Sequence, residues 1–378
     1  MIQKVWDLDK ITDRLLLQAI KNKRPLSCML ELTYRCNFRC KMCYIRMDDA
    51  QAEPFGRMRT VEEWLDMASQ LYKAGVLYLT LTGGECTAYP GFVRLYEEIS
   101  KMGFFITVMS NAGGYNDPIR DVFRRFPPRH VSITLYGASN ETYKAVTGDP
   151  SGYDKTLSNI EFFRSIGVPV NLNFTMIRQN VMDYPKIGKL CASFGIPFTM
   201  TSDITGHRYC AAFSDAFGCR LSPAQRACVA VNHPEDVALA LNEAGSVASE
   251  DLELDTAKDN PEFDYCIGAF TGCAIAWNGD MNFCMSFMGN SNVKPFEIGF
   301  EAAWALLKER QEKTFRTPAK CLSCSMYSEC PQNCAGRRFE GTGDPGTPDP
   351  YTCQYAKILE NLKNTSENAI IPDTPKCN

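Results

Sequence analysis

From residue 28 to residue 201 the chain repeats one pattern, a short apolar run followed by a turn and then a stretch with apolar residues at helical spacing. The runs Cys28–Leu32, Val76–Leu81, Phe104–Met109, His130–Leu135, Val168–Ile177 and Ile196–Thr201 read as buried strands. Between them, Thr60 precedes a helix with Val61, Trp64, Leu65, Ala68, Leu71 and Tyr72 on one face, and Gly75 ends it. Pro90 opens a second helix reaching Met102, and Tyr153–Ile166 and Asp183–Phe194 read as two more. Strands alternating with helices pack as right-handed βα units around a parallel sheet. Six units fit a partial (β/α)6 barrel of the α/β class, while an open doubly wound sheet satisfies the same periodicity.

A chain of 378 residues, 45% hydrophobic, buries a large core and suits two domains, or one large domain with an appendage. The net charge of -4 argues against a nucleic-acid partner. No apolar stretch reaches the length of a signal peptide or a membrane span, so a soluble cytoplasmic protein with no membrane partner is expected. Residues 1–27 form a lead-in with Ile11, Leu15 and Leu16 at helical spacing, too short for a leader-peptide-binding domain. Residues 28–202 carry the alternation. Residues 203–262 bridge, with helices at Pro223–Val231 and Pro234–Ala244 and an acidic linker at Glu250–Asp259. Residues 263–378 are cysteine-rich.

The chain has 18 cysteines against three histidines, His130, His207 and His233. In a reducing cytosol a disulfide framework is disfavoured and metal binding favoured. Directly after the first strand, Cys36, Cys40 and Cys43 stand at C-x3-C-x2-C spacing. Three thiols in one loop can hold a corner of a four-iron cluster and leave one iron open to a chelating amine and carboxylate. Such a spacing arises by chance in about 5% of chains this rich in cysteine. Far downstream, Cys321, Cys324, Cys330 and Cys334 follow C-x2-C-x5-C-x3-C spacing, preceded by Cys266, Cys273 and Cys284 and followed by Cys353. That four-cysteine spacing has a chance frequency of about 0.002.

Together these motifs resemble the radical S-adenosylmethionine (radical SAM) superfamily with a C-terminal SPASM extension, over about residues 28–353. The resemblance implies that Cys36, Cys40 and Cys43 hold a [4Fe-4S] cluster whose open iron takes SAM. Met42 stands where that family commonly places an aromatic residue against the adenine, and a thioether can make a comparable ring contact. Gly83, Gly84 and Glu85 match the turn that receives the SAM amine, glycines for close backbone approach and a carboxylate for the ammonium. Ser110 and Asn111 match a ribose contact, Thr134 a carboxylate contact, and Asn173 a further SAM contact or an inward polar residue satisfied by neighbours. Tyr136 replaces an aspartate common in relatives and is a candidate catalytic group, as is Cys86 beside Glu85; a packing role is the alternative for each.

The same resemblance implies two auxiliary [4Fe-4S] clusters, three clusters in all. Cys321, Cys324, Cys330 and Cys353 map onto one, Cys266, Cys284 and Cys334 onto the other with Cys273 as its fourth ligand. Without Cys273 an open iron could hold a substrate thiolate. Structural zinc is the alternative for the set. Cys28 and Cys191 read as buried hydrophobes, and Cys210 and Cys219 as candidates for lining a substrate entrance.

The function implied is reductive cleavage of SAM to a 5′-deoxyadenosyl radical and oxidation of a peptide or protein side chain, as a cross-link or thioether in a ribosomal peptide. Implied partners are the peptide, a separate recognition protein, and a flavodoxin or ferredoxin as reductant. Met285 stands where sulfatase maturases carry an aspartate base after the cysteine matching Cys284, which disfavours that activity. The alternatives are radical oxidation of a small molecule such as a sugar, amino acid or cofactor precursor, or, outside radical chemistry, an iron–sulfur electron carrier or zinc-stabilised binding protein.

Overall fold

The computed structural model describes residues 8–232, 266–289, 293–327, 330 and 334–366. The helix expected over 234–244, the acidic stretch 250–259 and Cys377 lie outside these residues. Six strands run parallel in chain order: β1 (Ser27–Glu31), β2 (Tyr78–Thr82), β3 (Phe105–Ser110), β4 (His130–Leu135), β5 (Val170–Thr175) and β6 (Phe198–Thr201). These are the six strands of the partial barrel. Two further strands, β7 (Gly272–Ile275) and β8 (Met281–Asn282), join the same sheet, which has the order β6-β5-β4-β3-β2-β1-β7-β8. β7 lies parallel to β1 and β8 antiparallel to β7. The cysteine-rich segment thus contributes two strands to the barrel sheet.

Alternation along each strand sorts the side chains. In β4, Val131, Ile133 and Leu135 are fully buried against helices, and burying a side chain of that size contributes roughly 1.5–3 kcal/mol. Ser132 and Thr134 face the other way and are half-buried. Through the registers that inner face also carries Thr80, Thr107, Asn173 and Thr199. The helix Val61–Lys73 starts in a capping box between Thr60 and Glu63, buries Trp64, Met67, Ala68 and Leu71, and Gly75 follows it at φ 91°. Helices at Phe92–Lys101, Gly152–Ser165 and Tyr184–Phe194 agree with the sequence reading within a few residues.

Within the barrel, two helices of eight or more residues were missing from that reading, as were the helices of the cysteine-rich segment at Phe300–Thr314, Ala335–Thr342 and Pro350–Ser366. Asp117–Arg125 is capped by Asn116 and buries Ile119, Val122 and Phe123; Asn140–Thr147 is capped by Ser139 and buries Tyr143 and Val146. The lead-in helix spans Leu8–Lys21. The expected bridging helix is observed at Pro223–Asn232 and packs on the C-terminal helix Pro350–Ser366 through Ala227, Ala230, Tyr355 and Leu359. The helix Phe300–Thr314 is tied to the barrel by two bonds, Phe300 N–H to Gln70 Oε1 at 2.8 Å and Trp304 Nε1–H to the Lys23 carbonyl at 2.8 Å.

Candidate active site

The loop carrying Cys36, Cys40 and Cys43 leaves the C-terminal end of β1 and is held on two sides. Toward β2, Gly84 N–H donates to the Thr33 carbonyl at 2.7 Å and Glu85 N–H to the Arg35 carbonyl at 2.9 Å. A Cβ on Gly84 would sit 2.5 Å from the Arg35 carbonyl oxygen, and one on Gly83 2.7 Å from that of Thr33, so only glycine permits this approach. On the other side, Arg39 and Lys41 donate backbone N–H groups to Thr147 and Val146 carbonyls at 2.8 and 3.1 Å.

The three thiols share one environment. Burial pushes Cys36 up to about 12, with the charges of Glu85 and Cys43 adding to it, and raises Cys40 and Cys43 as well. Donors converge on the sulfurs: Phe38 N–H on Cys36 Sγ at 3.4 Å, Asn111 Nδ2 on Cys36 Sγ at 3.4 Å, and Arg46 N–H on Cys43 Sγ at 3.2 Å. The Tyr136 hydroxyl bonds to the Cys40 thiol. Thiols that resist ionisation alone release protons when a multivalent centre supplies positive charge, and the N–H and O–H donors already present stabilise the resulting sulfurs. The donor set fits an iron–sulfur cluster.

The remaining predicted residues fall around this loop. Glu85 is 2% exposed, and its carboxylate accepts from Ser110 Oγ (2.8 and 2.9 Å), Asn111 N–H (2.8 Å) and Thr87 Oγ1 (2.7 Å). The carboxylate expected to pair with an ammonium is thus occupied by protein donors and clamps the ends of β2 and β3 together. Asn111 Nδ2 also reaches Asn37 Oδ1 at 2.9 Å, which places that side chain on the cluster loop. Cys86 is fully buried, its thiol directed to the Met109 carbonyl at 3.4 Å and raised well above its usual range by burial and by Glu85. It is sealed from solvent.

Tyr136 stands edge-on to Phe38 and Tyr143, both at 5.9 Å, and burial together with the neighbouring cysteines holds its hydroxyl protonated. It serves as a donor to Cys40. Met42 is buried with Val146, Ile177 and Ile204, beside Tyr136 and Cys40. Thr134 and Asn173 are register partners on the inner face. Asn173 bridges Ser132 Oγ (2.6 Å) and Thr199 Oγ1 (2.9 Å) on that face.

Sequence reasoning missed two groups. Glu31, fully buried at the end of β1, pairs with Arg208 Nη1 at 2.5 Å, and the Arg208 guanidinium lies 4.2 Å from the Tyr44 ring centroid. The other carboxylate oxygen, Glu31 Oε1, is buried with no hydrogen-bond partner among the described residues. Glu340, on the helix Ala335–Thr342, lines a cleft with Asp203, Ile204, Thr205 and Arg337. Burial lifts its carboxyl to about 7, opposed by Ser286, Arg208 and Arg337 and assisted by Asp203. Asp203 itself is paired with Arg226 and Arg337. Nothing in the spacing of residues 334–342 marks Glu340.

The C-terminal cysteines form two groups. Cys284 is pushed up to about 12 by burial and by the charges of Cys334 and Cys266. Cys321 is raised by partial burial and by the charges of Cys353, Cys330 and Cys324, and Cys353 by partial burial, Cys330, Asp349 and Cys324. Cys273 is not brought to the first group. It sits in β7 opposite Cys28, with the two sulfurs 3.5 Å apart inside the core, because strand alternation turns it onto the apolar face of the sheet. The expected fourth ligand is therefore a core residue. Cys219 is likewise buried, its thiol directed to the Ala216 carbonyl at 3.3 Å, whereas Cys210 is half-buried. Among the described residues no three His, Cys, Asp or Glu side chains draw together as tightly as a single-ion site requires.

Comparison with known proteins agrees with this geometry. The family model described as "Radical SAM superfamily" matches residues 30–191. The chain is 27% identical over 171 residues to the sporulation killing factor maturation protein SkfB of Bacillus subtilis, covering 45% of this chain and 40% of that protein. It is 28% identical over 163 residues to the PqqA peptide cyclase of Bradyrhizobium diazoefficiens, covering 43% of this chain and 42% of that one. The matched region thus spans about two-fifths of either relative. Streptococcus suis SuiB, solved bound to its precursor peptide SuiA, superposes with a TM-score of 0.64 at 17% identity, covering 90% of this chain and 79% of SuiB. That likeness extends the shared fold across the C-terminal segment. The thiol loop, the Gly83-Gly84-Glu85 turn and most of the parallel sheet lie within residues 30–191, the segment that matches the radical SAM superfamily.

Proposed function

We propose that this chain is a radical SAM oxidoreductase that modifies a side chain of a ribosomally made peptide. The observation that carries this reading is the half-buried trio Cys36, Cys40 and Cys43, with its N–H and O–H donors, at the C-terminal end of a parallel sheet. The family match implies a [4Fe-4S] cluster on those thiols and SAM as its ligand. When bound, the pair supplies an electron to the sulfonium and a 5′-deoxyadenosyl radical that takes a hydrogen atom from the substrate. We assign Cys321, Cys324, Cys330 and Cys353 to one auxiliary cluster and Cys266, Cys284 and Cys334 to a second, whose fourth position no described cysteine fills.

The protein's share is placement and proton handling. Asn111, Tyr136 and the Phe38 and Arg46 N–H groups hold the ligating sulfurs, and the Glu85 clamp keeps the glycine turn against the loop. Ser110, Thr134 and the inner-face polar groups are the hydrogen-bonding contacts available to SAM. A substrate that loses a hydrogen atom and then an electron also sheds a proton, and Glu340, in the cleft beside Asp203 with its carboxyl near neutrality, is placed to take it.

A peptide substrate is favoured because the named relatives are a peptide cyclase and a maturation protein, and the superposed SuiB holds a precursor peptide. A separate recognition protein would present that peptide, and a flavodoxin or ferredoxin would supply electrons. No described helix is long and apolar enough to cross a membrane, and we place the enzyme in the cytoplasm, where thiols stay reduced.

The test is anaerobic reconstitution, iron and sulfide analysis, and dithionite-driven formation of 5′-deoxyadenosine, beside a Cys36/Cys40/Cys43 triple alanine variant. About 12 irons per chain, falling to about 8 in the variant with loss of SAM cleavage, supports three clusters. Zinc in the C-terminal groups with cleavage intact would remove their redox role; absence of cleavage in the wild type would overturn the reading.

A further inference from the structure

The outer surface of the cluster loop has a charge that the chain as a whole does not. Net charge is -4, yet the residues on either side of Cys40, Arg39 and Lys41, are both exposed cations, and neither forms an ion pair with any described residue. Their backbone N–H groups bond the Thr147 and Val146 carbonyls, which sets them against the last turn of the helix Asn140–Thr147 and its exposed Lys144. Exposed Arg178 lies near Lys41, its backbone N–H bonding the Cys219 carbonyl at 2.9 Å. It donates Nε–H to the Arg220 carbonyl at 2.9 Å, and both it and Lys41 act electrostatically on buried Cys219. Beside them Phe217 is 54% exposed, with the Arg220 guanidinium 5.0 Å from its ring centroid. Asp215, whose N–H bonds the Lys41 carbonyl at 3.0 Å, and exposed Glu141 on the helix Asn140–Thr147 are acidic residues bordering this surface.

Unpaired cations on a net-acidic protein carry a desolvation and self-repulsion cost that an opposite-charged partner relieves. An aromatic ring with arginine beside it is the usual centre of such a contact. Here the surface is the outer side of the loop that presents Cys36, Cys40 and Cys43, so a partner docked on it is separated from the ligating sulfurs by one thickness of backbone. Electron-transfer encounters are small and weak, and steering by charge suits them. Resting on the function proposed above, which needs electrons from outside the chain, we propose that Arg39, Lys41, Lys144, Arg178 and Phe217 form the docking surface for a small acidic one-electron carrier of the flavodoxin type.

The probe is a recombinant bacterial flavodoxin, titrated in its oxidised form against the reconstituted protein by calorimetry and by NMR of the labelled flavodoxin. In its hydroquinone form, stopped flow follows electron delivery. Wild type should bind, with affinity falling as salt rises above about 0.1 M. The Lys144→Glu/Arg178→Glu variant, changed wholly outside the cysteine loop, should bind about tenfold more weakly with a flattened salt dependence. Lys144→Gln/Arg178→Gln should fall between. Reduction by dithionite, which needs no docking, should proceed alike in all three. Salt-independent binding, undiminished binding by the charge-reversed variant, or no binding by wild type would overturn the surface. Failure of dithionite-driven SAM cleavage would instead overturn the enzyme reading, and leaves the binding result readable by itself.

Discussion

Replacing Glu340 with glutamine should change how stability depends on pH, by an amount fixed by its surroundings. Burial lifts its carboxyl from an ordinary value of 4.5 to about 7. Between those limits the unfolded chain is ionised at this residue while the folded chain retains the proton. The folded state then binds more protons, so stability falls as pH rises; the contribution is whole below about 4.5 and gone above about 7. Across the full interval, about 2.5 pH units at about 1.4 kcal/mol each, the loss is roughly 3 kcal/mol. Between pH 5.5 and 8.5 about 1.5 units of that interval are crossed, or about 2 kcal/mol, which in a chain this long is roughly 2.5 °C in Tm. Glutamine does not titrate. The Tm of Glu340→Gln relative to wild type, by scanning fluorimetry under anaerobic conditions, should therefore climb by roughly 2.5 °C between pH 5.5 and 8.5 and level off above that. Parallel curves for the two proteins would refute both the burial argument and the assignment of Glu340 as a proton acceptor.

Cys273→Ser should leave the iron count of the reconstituted protein unchanged, whereas Cys284→Ser should lower it by about four per chain. Asn111→Ala, which removes a donor from Cys36 Sγ, should shift the SAM-binding cluster to a more negative potential in an EPR-monitored titration, since hydrogen bonds to sulfur stabilise the reduced form. Gly84→Ala forces a Cβ to 2.5 Å from the Arg35 carbonyl oxygen. It should destabilise the fold by about 1–3 kcal/mol, read as a lower Tm with reduced iron loading. Arg208→Ala leaves Glu31 ionised, buried and unpaired, and should cost about 3–5 kcal/mol at neutral pH, partly recovered by adding Glu31→Gln.

The barrel strands and three of the thiol-bearing groups were legible because their signals are local. A run such as His130–Leu135 alternates by itself, and Cys36, Cys40 and Cys43 lie within one loop. The helix Asn140–Thr147 was not seen because only Tyr143, Val146 and Thr147 are buried on it, too few to set a period. β7 and β8 are four and two residues long, and their strand character comes from pairing with β1 and with each other. Cys273 stayed open between ligand and packing residue because its neighbours in sequence are ligand candidates, while its neighbour in space is Cys28. Arg208 and Glu340 take their properties from burial beside residues far away in the chain, which no spacing records. Glu85 was found by its motif, but two of the residues whose donors occupy it, Ser110 and Asn111, stand at the end of β3.

The pairing of β7 with β1 also sets an order of events during synthesis. Cys28 and Cys273 are 245 residues apart, so the edge of β1 from which the cluster loop departs stays bare until nearly three-quarters of the chain has left the ribosome. Contacts of such long range close late, and an open parallel edge is an invitation to wrong partners in the meantime. Cluster insertion at Cys36, Cys40 and Cys43 thus has a natural checkpoint. The loop is framed on its β2 side early and on its β7 side only when the cysteine-rich segment arrives, so a nascent chain carries an unfinished iron site until its own C-terminal third docks against it.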